Sequence, residues 1–338
     1  MKNCDFDEVS FLRRLVREAF ESVKLMPREI KTIKAPSYYA FEFLLDYERG
    51  KTISSVRFHK AMDEYLLIEL YSFRGVILRA KNGEPKIRVE SSRQHPESIN
   101  IGIKTIMHSY KEELKDMSLP IVLGVGDNYK PMIIDLAKVG HILVGGATSQ
   151  GKTNLLHAFA QSIYYSPRKV SEGYFVYYID PKGVEGPRPY FDFYLTTMEE
   201  IRKELDMLCD KIEKRMNDTQ LSRYPIMVLI DDLADLVITD KYFMDMLVRI
   251  AQRGHWAGVH LVATSIPLSS QVFPGILKAN IPTRICFRVV NKYESRLVLD
   301  TPDATLLSQQ GEMFFSYNLK LTKLQTINVI DNNGEENF

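Results

Sequence analysis

The chain has 338 residues, of which 45% are hydrophobic and 26% are charged, and this ordinary composition excludes collagen-like, low-complexity and wholly disordered proteins. Its 44 basic and 43 acidic residues give a net charge of +1, so binding to nucleic acid would depend on a local cluster of charge. The three cysteines are far apart and no apolar run reaches the ~20 residues of a membrane helix. We therefore expect a cytoplasmic protein with no membrane segment of its own.

The first 118 residues are predicted to form a small α+β domain. An amphipathic helix comes first, with apolar residues at helical spacing between Phe11 and Val23. Short runs rich in β-branched and aromatic residues follow, including SYYAFEFLL and KIRVE. A helix at Ala61–Ser72 and a turn at Lys81–Glu84 are predicted between these runs.

From residue 119 to residue 338 strand-like and helical segments alternate. This alternation predicts an α/β core whose mostly parallel sheet is covered by helices on both faces. The predicted strands are residues 142–144, 175–179, 227–230, 259–263 and 284–290. The clearest predicted helices are residues 152–165, 198–217 and 242–255.

A phosphate-binding loop is predicted between the first of these strands and the first of these helices. Its sequence, GATSQGKT at 146–153, fits the pattern G-x-x-x-x-G-K-[ST], with an apolar strand before it and an amphipathic helix after it. Backbone N–H groups would surround the phosphates of ATP, Lys152 would reach the β- and γ-phosphates, and the Thr153 hydroxyl would bind Mg²⁺. The predicted nucleotide-binding residues are Gly146, Ala147, Thr148, Ser149, Gln150, Gly151, Lys152, Thr153 and Asn154.

Two adjacent carboxylates follow the apolar strand at 227–230. Asp231 is predicted in the Mg²⁺ shell, and Asp232 is predicted to orient or deprotonate the attacking water. An ordinary acidic turn is the alternative, which the upstream phosphate loop disfavours. Asp180-Pro181-Lys182 ends another strand at the same expected edge, where either a site residue or a plain Asx-Pro turn fits.

Together these residues resemble the motor domain of the FtsK/SpoIIIE family of DNA translocases, within the HerA/FtsK superfamily of P-loop ATPases. The densest similarity lies in the blocks LPIVLGVGDNYKPMIIDLAKVGHILVGGATSQGKTN, YYIDPKG, MVLIDDLADL, AGVHLVATS and ILKANIPTRICFRVVNKYESRLVLD. The resemblance implies a RecA-like core, with ATP bound at subunit interfaces of a hexameric ring around double-stranded DNA. We expect this chain to lack the membrane-spanning and winged-helix regions of many family members.

The resemblance also implies an arginine finger acting across subunits, at a position that His255 occupies here. A neutral histidine cannot supply a permanent bidentate charge, so another residue must replace it. Arg253 on the same predicted helix is the expected catalytic substitute, and the further candidates for a trans-acting role are Arg249, Arg284 and Arg296.

Three further positions depart from the family pattern. Asp232 stands where the family usually has glutamate, and Ser265 and Ile266 stand where it has a glutamine and an arginine. Ser265 keeps a short hydrogen-bonding group, whereas Ile266 cannot contact a phosphate with its side chain. These changes leave open a slowly hydrolysing or inactive ATP-binding ring that recruits a DNA–protein complex.

A local basic segment is predicted to contact DNA. Five basic residues and a single acidic one lie between Lys278 and Leu297. The predicted contacts are Lys278, Arg288 and Lys292, which would bind backbone phosphates with little sequence specificity.

The resemblance thus implies an ATP-driven translocase of double-stranded DNA, for which a plasmid, conjugative element or phage is the expected setting and a relaxase an expected partner. A motor for protein substrates, as in type VII secretion, is the remaining alternative. It would be stimulated by a peptide instead of DNA.

Overall fold

The computed structural model describes residues 7–22, 28–44, 73–79, 85–93, 96–97, 99, 101–167, 173–218, 221, 224–266, 268–318 and 320–329. The predicted helix at 61–72 and turn at 81–84 lie outside these residues. Two compact units are present: Met1–Ser98 with Gly126–Lys130, and Ile99–Val125 with Pro131–Phe338. By their contacts, residues 99–118 group with the second unit. The domain boundary between residues 118 and 119 stays a prediction from the sequence.

The first unit is a helix packed on an antiparallel sheet. Its sheet has the order β1-β2-β4-β3, and helix α1 covers it with an apolar face that includes Leu12, Val16 and Phe20. These side chains pack against Phe41 and Val89 of the sheet, because the helical and strand periodicities each turn an apolar face inward. The bounds are α1 Glu8–Ser22, β1 Arg28–Lys34, β2 Tyr38–Leu44, β3 Phe73–Arg79 and β4 Pro85–Ser92.

The second unit contains a ten-stranded sheet with the order β6-β5-β14-β13-β12-β7-β11-β10-β8-β9. The strands from β12 to β9 in this order run parallel to one another, and β13, β14, β5 and β6 extend the sheet with antiparallel pairs. The bounds are β5 Pro120–Val125, β6 Pro131–Asp135, β7 Ile142–Gly145, β8 Phe175–Ile179, β9 Phe193–Leu195, β10 Ile226–Ile230, β11 Val259–Ser265, β12 Thr283–Phe287, β13 Glu312–Tyr317 and β14 Lys320–Gln325.

Helices lie on both faces of this sheet, and the central strands are buried along their whole length. The predicted α/β fold with a mostly parallel sheet is thereby confirmed. Among the described residues, no helix has both the length and the apolarity needed to cross a bilayer. The bounds are α2 Ile103–Ser109, α3 Lys111–Leu114, α4 Leu136–Val139, α5 Lys152–Tyr164, α6 Met198–Asn217, α7 Leu233–Thr239, α8 Lys241–Arg253, α9 Gly275–Asn280 and α10 Lys292–Leu299.

Candidate nucleotide site

The predicted phosphate loop connects the carboxyl end of β7 to the start of α5. Its backbone takes left-handed φ values of +152° at Gly146, +59° at Ser149 and +109° at Gly151. A Cβ atom at Gly146 would lie 2.6 Å from the Phe287 Cβ, so only glycine fits between the loop and β12. The α5 N-cap, Gly151, makes no side-chain cap bond, which leaves the first N–H groups of this helix for an anionic ligand.

Neighbouring segments hold the backbone of this loop in place. The Ala147 N–H donates to the Arg288 carbonyl at 2.9 Å. On the other side, the turn before β13 supports the loop tip, because the Gln310 Nε2 donates to the Ser149 carbonyl at 2.9 Å and the Gly311 N–H donates to the Gln150 carbonyl at 3.1 Å. Nothing in the sequence pattern pointed to this turn, because its pairing depends on the order of the strands.

Lys152 lies inside the curve of the loop. Its Nζ donates to the Gly146 carbonyl at 2.9 Å and to the Ala147 carbonyl at 2.7 Å, and the residue is only 7% exposed. Burial lowers the pKa of Lys152 to about 8, and the nearby Asp231 and Asp232 oppose that shift. A buried ammonium beside a glycine-rich loop is suited to receiving a phosphate.

Thr153 and Asp231 are in direct contact although 78 positions separate them in the sequence. The Thr153 Oγ1 donates to the Asp231 Oδ2 at 2.7 Å, Thr264 donates to the Oδ1 at 2.8 Å, and Tyr178 donates to the Oδ2 at 3.2 Å. Burial raises the pKa of Asp231 despite these bonds, so a neighbouring cation would stabilise its carboxylate. A threonine hydroxyl beside a buried carboxylate is a hard-oxygen donor set that fits Mg²⁺.

Asp232 lies at the carboxyl ends of the parallel strands, between the loop that follows β8 and the loop that follows β11. Its backbone has a left-handed φ of +69°, and its side chain does not cap the helix α7 that follows. The Oδ1 accepts from the Ile266 N–H at 3.2 Å, and the Oδ2 accepts from the Lys182 ammonium. The Ile266 backbone therefore contacts the site although its side chain cannot bind a phosphate.

Asp180 shapes the loop that carries Lys182. Its carboxylate accepts from the N–H groups of Lys182, Gly183 and Glu185 at 3.2, 3.0 and 2.9 Å, and from the Tyr194 hydroxyl at 2.9 Å. Of the two roles that the sequence left open for Asp180, the turn is the one its contacts describe.

Asn154 was predicted to bind nucleotide, and its side chain contacts the C-terminal segment. The Nδ2 donates to the Ile327 carbonyl at 2.6 Å, and the Oδ1 accepts from the Val329 N–H at 2.9 Å. Thr148 and Ser149, by contrast, are exposed at the loop tip.

The finger candidates on α8 lie near the amino ends of the parallel strands, whereas the phosphate loop lies at their carboxyl ends. Arg253 ends this helix just before β11 begins, whereas the phosphate loop follows the end of the parallel strand β7. The Arg253 guanidinium pairs with Glu213 of α6 at 2.6 Å. Arg253, Arg249 and His255 are thus far from the phosphate loop of their own chain, and Arg253 and Arg249 are exposed.

The basic side chains of the segment differ in their contacts, because two of them form ion pairs with described residues and three are exposed. Arg284 donates to Asp300 at 2.6 Å and to the carbonyls of Val298 and Lys278 at 3.1 Å, and Lys278 lies 3.1 Å from the same Asp300. These two cations are therefore held by the fold. The exposed basic side chains of this segment are Arg288, Lys292 and Arg296.

The sequence comparisons agree with the motifs. The model of the FtsK/SpoIIIE family matches residues 103–222. The DNA translocase FtsK of Chlorobaculum tepidum is 30% identical over 279 residues, which cover 72% of this chain and 34% of the relative. The DNA translocase FtsK of Haemophilus influenzae is 29% identical over 283 residues, covering 69% of this chain and 53% of the relative. The chain thus spans about a third to a half of the length of these curated relatives.

Solved structures share the fold at lower sequence identity. The pCW3 conjugation coupling protein TcpA, determined with ATPγS, has a TM-score of 0.62 and 19% identity, covering 95% of this chain and 96% of that one. The cytoplasmic domain of the Thermomonospora curvata type VII secretion ATPase EccC has a TM-score of 0.54 and 21% identity, covering 71% of this chain and 33% of that one. At this identity the likeness concerns the fold alone.

Proposed function

The chain belongs to the FtsK/SpoIIIE family, and we propose on that basis that it hydrolyses ATP to translocate double-stranded DNA. The observation that carries the proposal is the 2.7 Å contact between Thr153 of the phosphate loop and Asp231 at the end of β10. It brings together the two halves of a P-loop ATPase site from separate parts of the sequence.

In this proposal each residue of the site has a separate role. Lys152 and the N-terminus of α5 bind the phosphates of ATP, and Thr153 and Asp231 hold Mg²⁺. Asp232 orients and deprotonates the attacking water. Bound Mg²⁺ would supply charge neutralisation to the phosphates.

A ring of subunits, most simply a hexamer, would complete the site. Arg253 and Arg249 are far from the phosphate loop of their own chain, so they could only act on the ATP of a neighbouring subunit. Arg284 is a weaker candidate because its guanidinium is already bonded to Asp300 and two carbonyls. Arg296 is exposed and remains available.

Double-stranded DNA is the proposed substrate, bound through its phosphates. Arg288 and Lys292 are exposed and carry the interaction in this proposal, whereas Lys278 would first have to leave Asp300. Such contacts are independent of DNA sequence and weaken with salt. Transfer or segregation of plasmid, conjugative or phage DNA in the cytoplasm, with a relaxase as partner, is the biological setting we propose, and TcpA is described as a conjugation coupling protein.

Steady-state ATP hydrolysis tests this proposal. We expect turnover to rise at least about tenfold when linear duplex DNA is added, and to be lost in Lys152→Ala. Lys203→Ala, which changes an exposed lysine of α6, is the matched control and should behave as wild type.

A second candidate is a ring that binds ATP but hydrolyses it slowly, and organises a DNA–protein complex. His255 at the finger position and the apolar side chain of Ile266 favour it. Clear ATP binding without DNA-stimulated turnover would support this candidate against the motor.

A further inference from the structure

One cation of the site has no role in the mechanism above. Lys182 lies on the loop between β8 and β9, and its ammonium donates to the Asp232 Oδ2 while lying 3.2 Å from the Asp235 Oδ2. The hydrogen bond to Asp232 raises the pKa of Lys182. The Lys182 side chain is 53% exposed, whereas that of Asp232 is only 13% exposed.

The backbone beneath Lys182 is fixed. Asp180 accepts from the N–H groups of Lys182, Gly183 and Glu185 and from the Tyr194 hydroxyl, as described above. Asp180 itself is 3% exposed and its N–H donates to the Leu195 carbonyl at 2.9 Å. The Cα atom of Lys182 is therefore held in one position relative to β8. Strand β8 pairs directly with β10, which Asp232 follows.

Asp232 depends on that cation for its orientation. Apart from Lys182, its carboxylate has a single bond among the described residues, the 3.2 Å contact from the Ile266 N–H to the Oδ1. Its backbone is anchored separately, because the Asp232 N–H donates to the Thr264 Oγ1 at 3.0 Å. Loss of Lys182 would leave the main chain in place and free the carboxylate to rotate.

We propose that Lys182 is a positioning residue for ATP hydrolysis, which holds the Asp232 carboxylate in the orientation that accepts a proton from the attacking water. The inference rests on the proposed function, because it requires Asp232 to act on that water. With Lys182 bonded to the Oδ2 and the Ile266 N–H bonded to the Oδ1, the remaining lone pairs of the carboxylate are left for the water. Lys182 acts through Asp232 and touches neither the water nor the nucleotide.

The test compares Lys182→Met, Lys182→Arg and the control Lys203→Met in DNA-stimulated ATP hydrolysis. Because the water would be poorly oriented, we expect Lys182→Met to lower kcat by about tenfold with KM changed less than about threefold. Lys182→Arg keeps a cation and should recover most of kcat. A fluorescent ATP analogue should bind all variants with similar affinity, since Lys182 does not contact the phosphate loop.

A double-variant comparison separates positioning from a general structural effect. In an Asp232→Asn background, Lys182→Met should cause no further loss, because both changes act on the same step. Additive losses, a rise in KM with unchanged kcat, or wild-type turnover in Lys182→Met would each overturn the inference while leaving the ATPase proposal intact. A wild-type protein without DNA-stimulated turnover would overturn the proposed function and this inference with it.

Discussion

Gly146 sets the geometry of the phosphate loop at its first residue. The loop leaves β7 directly beside Phe287, the last residue of β12, which is fully buried. The 2.6 Å between an added Cβ and the Phe287 Cβ is shorter than real side chains tolerate, and neither atom can rotate away. The glycine is therefore required by close packing as well as by its φ value.

Gly146→Ala is predicted to destabilise the protein and weaken ATP binding. The added methyl group must push the loop away from β12, at a cost of about 1–3 kcal/mol in the free energy of unfolding. Urea denaturation and a fluorescent nucleotide measure the two effects. Gly275→Ala is the matched control, because a Cβ there meets nothing within 4 Å, and equal effects of the two variants would contradict the packing argument.

At the residue scale the sequence predicted the groups that lie within short motifs. Gly146–Thr153 and the pair Asp231–Asp232 were identifiable because each directly follows an apolar strand. Lys182 was placed at the same edge of the sheet, but with a plain turn left open as the alternative, and its contact with Asp232 was not predicted. Thr264 and the Gln310 turn were not predicted as site residues, because their contacts arise only from the order of the strands and from the placement of β13. The arginines could be named but their partners, Glu213 and Asp300, could not.

The hairpin of β13 and β14 holds in place the turn that bonds to the phosphate loop. Glu312 and Lys323 form an ion pair of 2.8 Å whose side chains are 0% and 5% exposed. The second carboxylate oxygen of Glu312 accepts from the N–H groups of Ser308 and Gln309 at 2.7 and 3.0 Å. This carboxylate therefore fixes the turn whose next residues, Gln310 and Gly311, bond to the loop tip.

Lys323→Met is predicted to destabilise the chain by about 3–5 kcal/mol, because it leaves Glu312 buried without its cation. The surviving folded protein should bind ATP more weakly, since the turn at 308–311 loses its support. Lys320→Met changes an exposed lysine of the same strand and should do neither. Unchanged urea stability of Lys323→Met would refute this account of the hairpin.

Two buried histidines, His141 before β7 and His260 in β11, should make the stability of the protein depend on pH. The His141 Nδ1 accepts from the Leu261 N–H at 2.9 Å, and the His260 Nδ1 lies 2.9 Å from the Gly140 carbonyl. Burial lowers the pKa of His141 to about 3 and that of His260 to about 4. Both are neutral when folded, whereas the unfolded chain takes up protons below about pH 6.5.

The contribution of these two histidines to the free energy of unfolding should therefore be fully present above about pH 6.5. It should be lost progressively as the pH falls from there towards 4. Each histidine contributes about 1.4 kcal/mol of lost unfolding free energy per pH unit in that window. Urea denaturation of His260→Gln between pH 7.5 and 5 should show about half of the wild-type slope. His108→Gln, at an exposed position, should keep the full slope, and an unchanged slope in His260→Gln would contradict the prediction.

At the element scale the best-predicted parts were those with their own local signals. Helix α6 was predicted at 198–217 as observed, and Thr197 and Glu200 form a capping box at its start. Helix α8 was predicted as 242–255, but it ends at Arg253 and His255–Ala257 forms a short 3₁₀ helix. The strand order could not be predicted, because β14 joins β5 across some 200 residues and no local pattern encodes that pairing.

The nearly neutral net charge of the chain bears on how it would bind the proposed DNA substrate. With a net charge of +1, long-range attraction to DNA is weak, so the proposed binding would depend on exposed cations such as Arg288 and Lys292. Repeating these cations around a ring would multiply the phosphate contacts without raising the charge of each subunit. Under the proposed function, ring assembly and DNA binding should therefore be coupled, and DNA binding should weaken as salt rises.

Displacement of a third strand from linear duplex DNA tests the central claim, ATP-driven translocation, most directly. The wild-type protein is predicted to release a labelled triplex-forming oligonucleotide with ATP and not with ATPγS, and Lys152→Ala is predicted to release none. Release of the strand by Lys152→Ala, or DNA-stimulated hydrolysis in the wild type without any release, would contradict the claim.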